Sequence, residues 1–187
     1  TTFGTLLATA SANTAFGGVA FTPGTTLSAS LFNVTGGNAC FGSSVIIGLS
    51  DSETGINYEL KKDGVTISTL PGTGAPLSFG SRSDAGVYTI TATNILTGCT
   101  TNMAGSSIIN SLPLVSFSGL ASQYCISLTE VTLTGSPAGG IFSGPGITGN
   151  VFDPSTAGIG GPYNITYSFT NTETGCSNAY TQQVTVN

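Results

Sequence analysis

An all-β fold of two tandem sandwich domains, each with one disulfide, is what these 187 residues predict. The first observation behind it is an internal duplication. Thr93-Asn94-Ile95-Leu96-Thr97-Gly98-Cys99 returns as Thr170-Asn171-Thr172-Glu173-Thr174-Gly175-Cys176. Each copy has a second cysteine upstream at the head of an apolar run: Cys40 precedes residues 44–50, and Cys125 precedes residues 130–135. Self-similarity of that length marks one folding unit copied in tandem. The second observation is composition, with 27 Gly, only 3 Lys or Arg and only 8 Asp or Glu. Short strands joined by tight turns have that make-up, and helices do not. The third is the alternation of apolar and polar residues between Gly, Pro and Asn clusters, the period of a half-buried strand.

Residues 1–31 do not fit the repeat. Phe3, Leu6, Leu7, Phe16, Val19, Phe21 and Leu27 alternate weakly there between Gly and Thr. They read as extra strands packed on domain 1 or as a segment that completes a neighbouring subunit by strand addition. Domain 1 spans 32–110. Residues 57–61 and 65–68 alternate around Lys62-Asp63-Gly64, and Asp-Gly between such runs signals a hairpin. The lysines beside that turn discourage edge-to-edge pairing. Asp84-Ala85-Gly86-Val87-Tyr88 then leads into an alternating strand. Asp-x-Gly-x-Tyr in that place is the pattern of the tyrosine corner of immunoglobulin-like sandwiches, so Asp84, Gly86 and Tyr88 are assigned a structural role. Both sandwiches are therefore expected to be immunoglobulin-like.

Asn110-Ser111-Leu112 is the expected junction, too short and too poor in Gly to let the two units flop. Domain 2 spans 111–187. Pro113-Leu114-Val115-Ser116-Phe117 opens it, and a strand over 130–135 follows Cys125. Turn clusters at Ser136-Pro137-Ala138-Gly139-Gly140 and Ser143-Gly144-Pro145-Gly146 flank Ile141-Phe142, and residues 163–170 and 180–186 form the last two strands.

The four cysteines read as two disulfides in an oxidising compartment, since there is no His and no C-x-x-C to favour a metal. Pairing one couple per repeat predicts Cys40–Cys99 and Cys125–Cys176. Antibody-type domains carry their second cysteine two residues after the corner Tyr. Cys99 instead lies past the strand, so each bridge is expected to clasp one end of its sandwich, worth about 4 kcal/mol.

Composition also narrows function. A net charge of −5 without an Arg/Lys cluster argues against nucleic acid and anionic membranes. No apolar run reaches the length of a membrane span. Without His, general base work would fall to carboxylates or Lys. Asp51 and Glu53 fall in a turn, Glu59 and Asp63 flank the hairpin, and Asp84 belongs to the corner, so solvated carboxylates are expected instead of catalytic ones. Asp51-x-Glu53 offers calcium two carboxylates where six or more oxygens are wanted. No cofactor or metal is expected. Tyr124, Phe142, Phe152, Tyr163 and Tyr180 could form a carbohydrate platform, but core packing is the default for such rings. Asn33-Val34-Thr35 and Asn164-Ile165-Thr166 match the glycosylation acceptor pattern, and these matches are read as coincidental. Lys61 and Lys62 are the only lysines and flank an exposed turn, leaving no buried lysine for an isopeptide cross-link.

Several of these motifs resemble the Ig-like, PKD-like repeats of large exported surface proteins of the Bacteroidota, including gliding-motility adhesins. In the first repeat they are Cys40, Ile47-Gly48-Leu49-Ser50, Gly55-Ile56-Asn57-Tyr58-Glu59-Leu60, Gly72-Thr73-Gly74, Gly86-Val87-Tyr88-Thr89 and Thr97-Gly98-Cys99. In the second they are Tyr124-Cys125, Val131-Thr132-Leu133-Thr134-Gly135, Pro137-Ala138-Gly139-Gly140, Phe142-Ser143-Gly144-Pro145-Gly146-Ile147, Ile165-Thr166-Tyr167 and Thr174-Gly175-Cys176. The resemblance covers about residues 32–187 and marks turns and strands, not an active site. It implies export by the type IX route and display at the cell surface or outside the cell. The expected function is a non-enzymatic structural or adhesive module of a fibre or adhesin. Its expected partners are further copies of itself or neighbouring repeats in a filament, and a surface glycan or protein ligand. The alternative is a carbohydrate-binding or spacer module of a larger secreted enzyme.

Overall fold

Alternation along the chain becomes burial on one face of each sheet. Tyr58, Leu60, Tyr88, Ile90 and Ala92 are almost wholly inaccessible, Glu59 and Thr89 between them lie half-buried, and Thr91 is buried with its hydroxyl donating to Asn102 Oδ1 at 3.0 Å. The computed structural model describes residues 28–187. Two separate cores organise them, one drawn from Ala29 to Ile109 and one from Val115 to Val186.

The first unit runs through β1 (Val34–Thr35), β2 (Asn38–Cys40), β3 (Val45–Leu49), β4 (Ile56–Lys62), β5 (Val65–Pro71), β6 (Leu77–Arg82), β7 (Gly86–Asn94), β8 (Thr100–Asn102) and β9 (Ser107–Asn110). One sheet has the order β1-β3-β6; the other has the order β2-β9-β7-β4-β5, with β8 also pairing β7. All pairings between these strands are antiparallel except β2 on β9, and an isolated parallel bridge joins Asn33 to Ala104. Two sheets facing across one apolar core, with a short parallel strand on the last one, make an immunoglobulin-like sandwich. The Asp63-Gly64 turn forms as read, with φ of 50° and 83° and Lys62 opposite Val65, because a two-residue hairpin turn needs positive φ at both positions.

The second unit runs through β10 (Ser116–Ser118), β11 (Gln123–Tyr124), β12 (Val131–Thr132), β13 (Thr134–Ser136), β14 (Ile141–Ser143), β15 (Ile147–Thr148), β16 (Val151–Phe152), α1 (Pro154–Ala157), β17 (Gly160–Thr170) and β18 (Ser177–Val186). Its main sheet has the order β11-β18-β17-β14, with β11 parallel to β18 as β2 is to β9. β12-β16-β15 and β10-β13 form the opposing layer. The strand expected over 130–135 is split: β12 pairs β16 and β13 pairs β10. The change of partner falls at Leu133, which is 1% exposed and donates its N–H to the Asn150 carbonyl at 2.7 Å. Of the expected segment 1–31, Ala29 packs in the first core, Ser30 donates to the Glu53 carboxylate, and residues 1–27 lie outside the described residues.

The disulfide pairing differs from expectation. Cys40 bonds Cys176 across the two units with a Cα–Cα distance of 5.6 Å, while Cys99 and Cys125 are unpaired and exposed. Strand geometry explains why Cys40–Cys99 and Cys125–Cys176 do not form. Cys40 lies opposite Asn110, beyond the first residue of β7, whereas Cys99 follows the last. Nine residues of extended chain separate those ends by about 27 Å. Cys125 is likewise level with the last residues of β18, and Cys176 precedes its first. A disulfide needs Cα atoms within about 7 Å, so each expected couple is held apart by its own strand.

Candidate functional site: the interdomain clasp

The bridge is built from two turns. After β17, Asn171 Oδ1 accepts from the N–H of Glu173 (2.8 Å) and of Thr174 (3.3 Å). Thr174 Oγ1 accepts from the Cys176 N–H at 3.3 Å. The Gly175 N–H reaches the Asn171 carbonyl and the Asn171 N–H reaches the Cys176 carbonyl, at 2.8 and 2.9 Å. Every polar residue of the N-x-x-T-G-C motif is thus spent on its own backbone, which is how Asn and Thr fix a turn. Gly175, at φ 72°, supplies the left-handed residue that the turn requires.

On the first unit, Cys40 closes β2 against Asn110. The Phe41 N–H bonds the Asn110 carbonyl at 2.7 Å, and the Ser43 N–H turns back to the Cys40 carbonyl at 2.9 Å. The chain leaves β9 at Asn110 and enters the second core at Val115, and Asn178 Nδ2 donates to the Pro113 carbonyl at 3.0 Å. Bridge and linker therefore tie the same two domain ends together. Cys176 is fully buried in this arrangement.

The corner residues sit at the same end of the first unit as Cys40. Tyr88 Oη donates to the Asp84 carbonyl at 2.8 Å, and Asp63 Oδ1 accepts from the Val87 N–H at 2.9 Å. Burial, followed by the Asp84 charge, pushes the Tyr88 phenol above its usual pKa, so it keeps the proton it donates. Gly86 has φ 156°, and a Cβ there would strike the Lys62 and Asp63 side chains. Tyr163 forms a second corner, its Oη donating to the Gly158 and Ile159 carbonyls at 3.4 Å each. Gly161-Pro162-Tyr163 repeats the Gly-x-Tyr of Gly86-Val87-Tyr88, and that short echo was the available signal.

The carboxylates of Asp51, Glu53, Glu59, Asp63 and Asp153 are held in local structure. Glu53 holds Ser30, Asp51 accepts from the Ser52 N–H, and Glu59 accepts from Thr66 and lies 3.7 Å from Lys61 Nζ. Asp153 caps α1, and hydrogen bonds from Thr156 and Ser155 hold its carboxyl down at about 2. No group of three or more His, Cys, Asp or Glu is placed to hold a metal among the described residues. Tyr124, Phe142 and Phe152 are buried, Tyr163 is half-buried, and Tyr180 is partly exposed with its ring edge-on to Phe117. A groove of about 590 Å³ in the second unit is lined in part by Leu133, Gly135, Gly140, Ile141, Phe142 and Tyr167. Its two rings are 8% and 2% exposed, leaving no open aromatic face for a sugar to stack on.

No family model matches the chain, and no curated protein matches it. Solved structures overlap it only loosely. Extracellular domains 3–5 of Drosophila OTK are 13% identical at a TM-score of 0.32, covering 86% of this chain, which spans 65% of theirs. Fibronectin(III)-like modules of Clostridium thermocellum CbhA are 14% identical at 0.31, with 84% and 94% covered. The D1-D2 fragment of Rst is 9% identical at 0.35, with 83% and 98% covered. Likeness at this level carries no activity or ligand across, and the strand order above is what identifies both units as immunoglobulin-like.

Proposed function

We propose that this chain is a non-enzymatic structural and adhesive module of an extracellular fibre or cell-surface adhesin. The observation that carries the reading is the clasp: two like sandwiches joined by a short linker are also bonded covalently, Cys40 to Cys176, at the same junction. Such a joint limits bending between domains and leaves the strand faces free for contact. A disulfide that closes a junction belongs to an oxidising compartment, which supports display outside the cytoplasm. No helix among the described residues is long and apolar enough to cross a membrane. The finer reading is export by the type IX route in a Bacteroidota-like bacterium, with self-association or neighbouring repeats as the first partners and a surface glycan or protein as ligand.

Immunogold labelling of intact and of sectioned source cells with antibody to residues 32–187 tests it. Label on thin surface fibres is the expected result. Label confined to the cytoplasm, or co-purification of the chain with a secreted catalytic domain, would overturn the reading.

A further inference from the structure

Cys99 and Cys125 are the duplicates of the bonded pair. Cys99 corresponds to Cys176 and Cys125 to Cys40, and the backbone around each reproduces its counterpart. Asn94 Oδ1 accepts from the Leu96 and Thr97 N–H groups at 2.9 and 3.2 Å, and Thr97 Oγ1 accepts from the Cys99 N–H at 3.3 Å. Gly98 N–H to Asn94 carbonyl and Asn94 N–H to Cys99 carbonyl repeat at 2.8 and 2.9 Å, and Gly98 has φ 71° against 72° for Gly175. At the other end, the Ile126 N–H bonds the Asn187 carbonyl at 2.9 Å, and the Leu128 N–H returns to the Cys125 carbonyl at 3.0 Å. These match the bonds of Phe41 and Ser43 around Cys40. The molecule therefore carries one complete clasp and the two separate halves of another.

The halves lie at the ends that face away from the junction. Cys99 is a strand length from Cys40 along β7, and Cys125 is a strand length from Cys176 along β18. Both thiols are exposed, and each is flanked by exposed apolar side chains: Ile95 and Leu96 beside Cys99, Ile126 and Leu128 beside Cys125. At the first of these ends, the closed clasp has Thr172 and Glu173 where Ile95 and Leu96 stand.

We propose that Cys125 of one copy of this chain bonds Cys99 of a second copy, head to tail, in the geometry already seen for Cys40 and Cys176. The contact is heterologous, and a head-to-tail contact whose rotation does not close into a ring repeats as an open fibre. The bond needs an oxidant, which is a disulfide of the glutathione class. The Cys125 thiolate attacks it and releases one glutathione. The Cys99 thiolate of the next copy then displaces the other, so two thiol protons are lost and two electrons leave with the two glutathione thiols. The proposal rests on the fibre reading for its setting, but its chemistry is tested on purified protein and stands or falls apart from where the chain is displayed.

The test starts from the folded 187-residue chain with Cys40–Cys176 intact and the two exposed thiols reduced, to which glutathione disulfide is added. Wild type should give a ladder of oligomers on a non-reducing gel, with Cys125–Cys99 as the linkage found by peptide mapping. Cys99→Ser and Cys125→Ser should each lose the ladder, and a mixture of the two variants should regain a single dimer. Mapping of native material separates the sources. A Cys125 peptide on Cys99 supports a second copy, and one on a different N-x-x-T-G-C turn overturns the second copy while placing a following domain in the same clasp. Persistent monomer, or symmetric Cys125–Cys125 and Cys99–Cys99 links as frequent as the mixed one, would overturn the proposal.

Discussion

Replacing Cys40 and Cys176 together by Ala should destabilise the two domains unequally, and the inequality follows from where the bridge sits. With the first unit folded, Cys40 is held opposite Asn110. An unfolded second unit is then a loop anchored at Asn110 and Cys176, about 66 residues long, whose closure is worth about 4 kcal/mol in a chain-entropy model. The same holds in reverse, because Pro113 is fastened to Asn178 near Cys176. Unfolding both units leaves one loop across the bridge's sequence separation of 136, worth about 5 kcal/mol, so the second event gains only about 1 kcal/mol. Differential scanning calorimetry should therefore show the lower transition falling by roughly 15 to 30 °C and the upper one by only a few degrees. Reduction of the wild-type bridge should reproduce the pattern. Equal falls in both transitions are what one staple per sandwich would give, and they would refute the clasp. So would no shift at all.

Four further outcomes are expected. Tyr88→Phe removes the bond to the Asp84 carbonyl and should cost about 1 kcal/mol in denaturant unfolding of the first unit, and more if the carbonyl stays dry. Tyr163→Phe, whose bonds are 3.4 Å long, should cost less. Gly135→Ala places a Cβ against the Tyr167 ring, which already packs on Gly140, and should cost about 3 kcal/mol in the second unit while leaving the first transition in place. Asp153 is held at about 2 by its hydrogen bonds to Ser155 and Thr156, below its ordinary 3.8. A depressed carboxyl stabilises the fold above the ordinary value and loses that contribution as pH falls through the folded one. The cap at α1 should hold at pH 5 and loosen between about pH 4 and pH 2, as followed by amide exchange at Ser155 and Thr156, and Asp153→Asn should remove the pH dependence.

The strands and turns were legible because period and turn chemistry are local. The hairpin at Asp63-Gly64, the strand after the Tyr88 corner and the last two strands of the chain fall where alternation and Gly/Asn signals put them. The split at Leu133 was not legible, since a strand that changes sheets keeps its period and only its partners reveal the crossing. The disulfide was misread for a different reason. Alignment of the repeats shows which cysteines are equivalent, and equivalence is not proximity. The fold class itself carried the correction: where the strand before Cys40 runs parallel to β9, Cys40 must end up a full strand length from the turn that holds Cys99. Which domain end met which was then a property of the junction, and no local pattern in the sequence describes it.

The interdomain bridge also shortens the path that a mechanical load follows. Pulled between residue 28 and Asn187, the covalent route runs to Cys40, crosses to Cys176 and continues along β18, bypassing everything between. About two dozen residues then bear the tension, and they stretch to about 80 Å at most, against about 560 Å for the described chain without the bond. Most of both cores is out of line with the force. Such a segment behaves as a short tether of nearly constant length, because even complete unravelling of its sandwiches would release little slack.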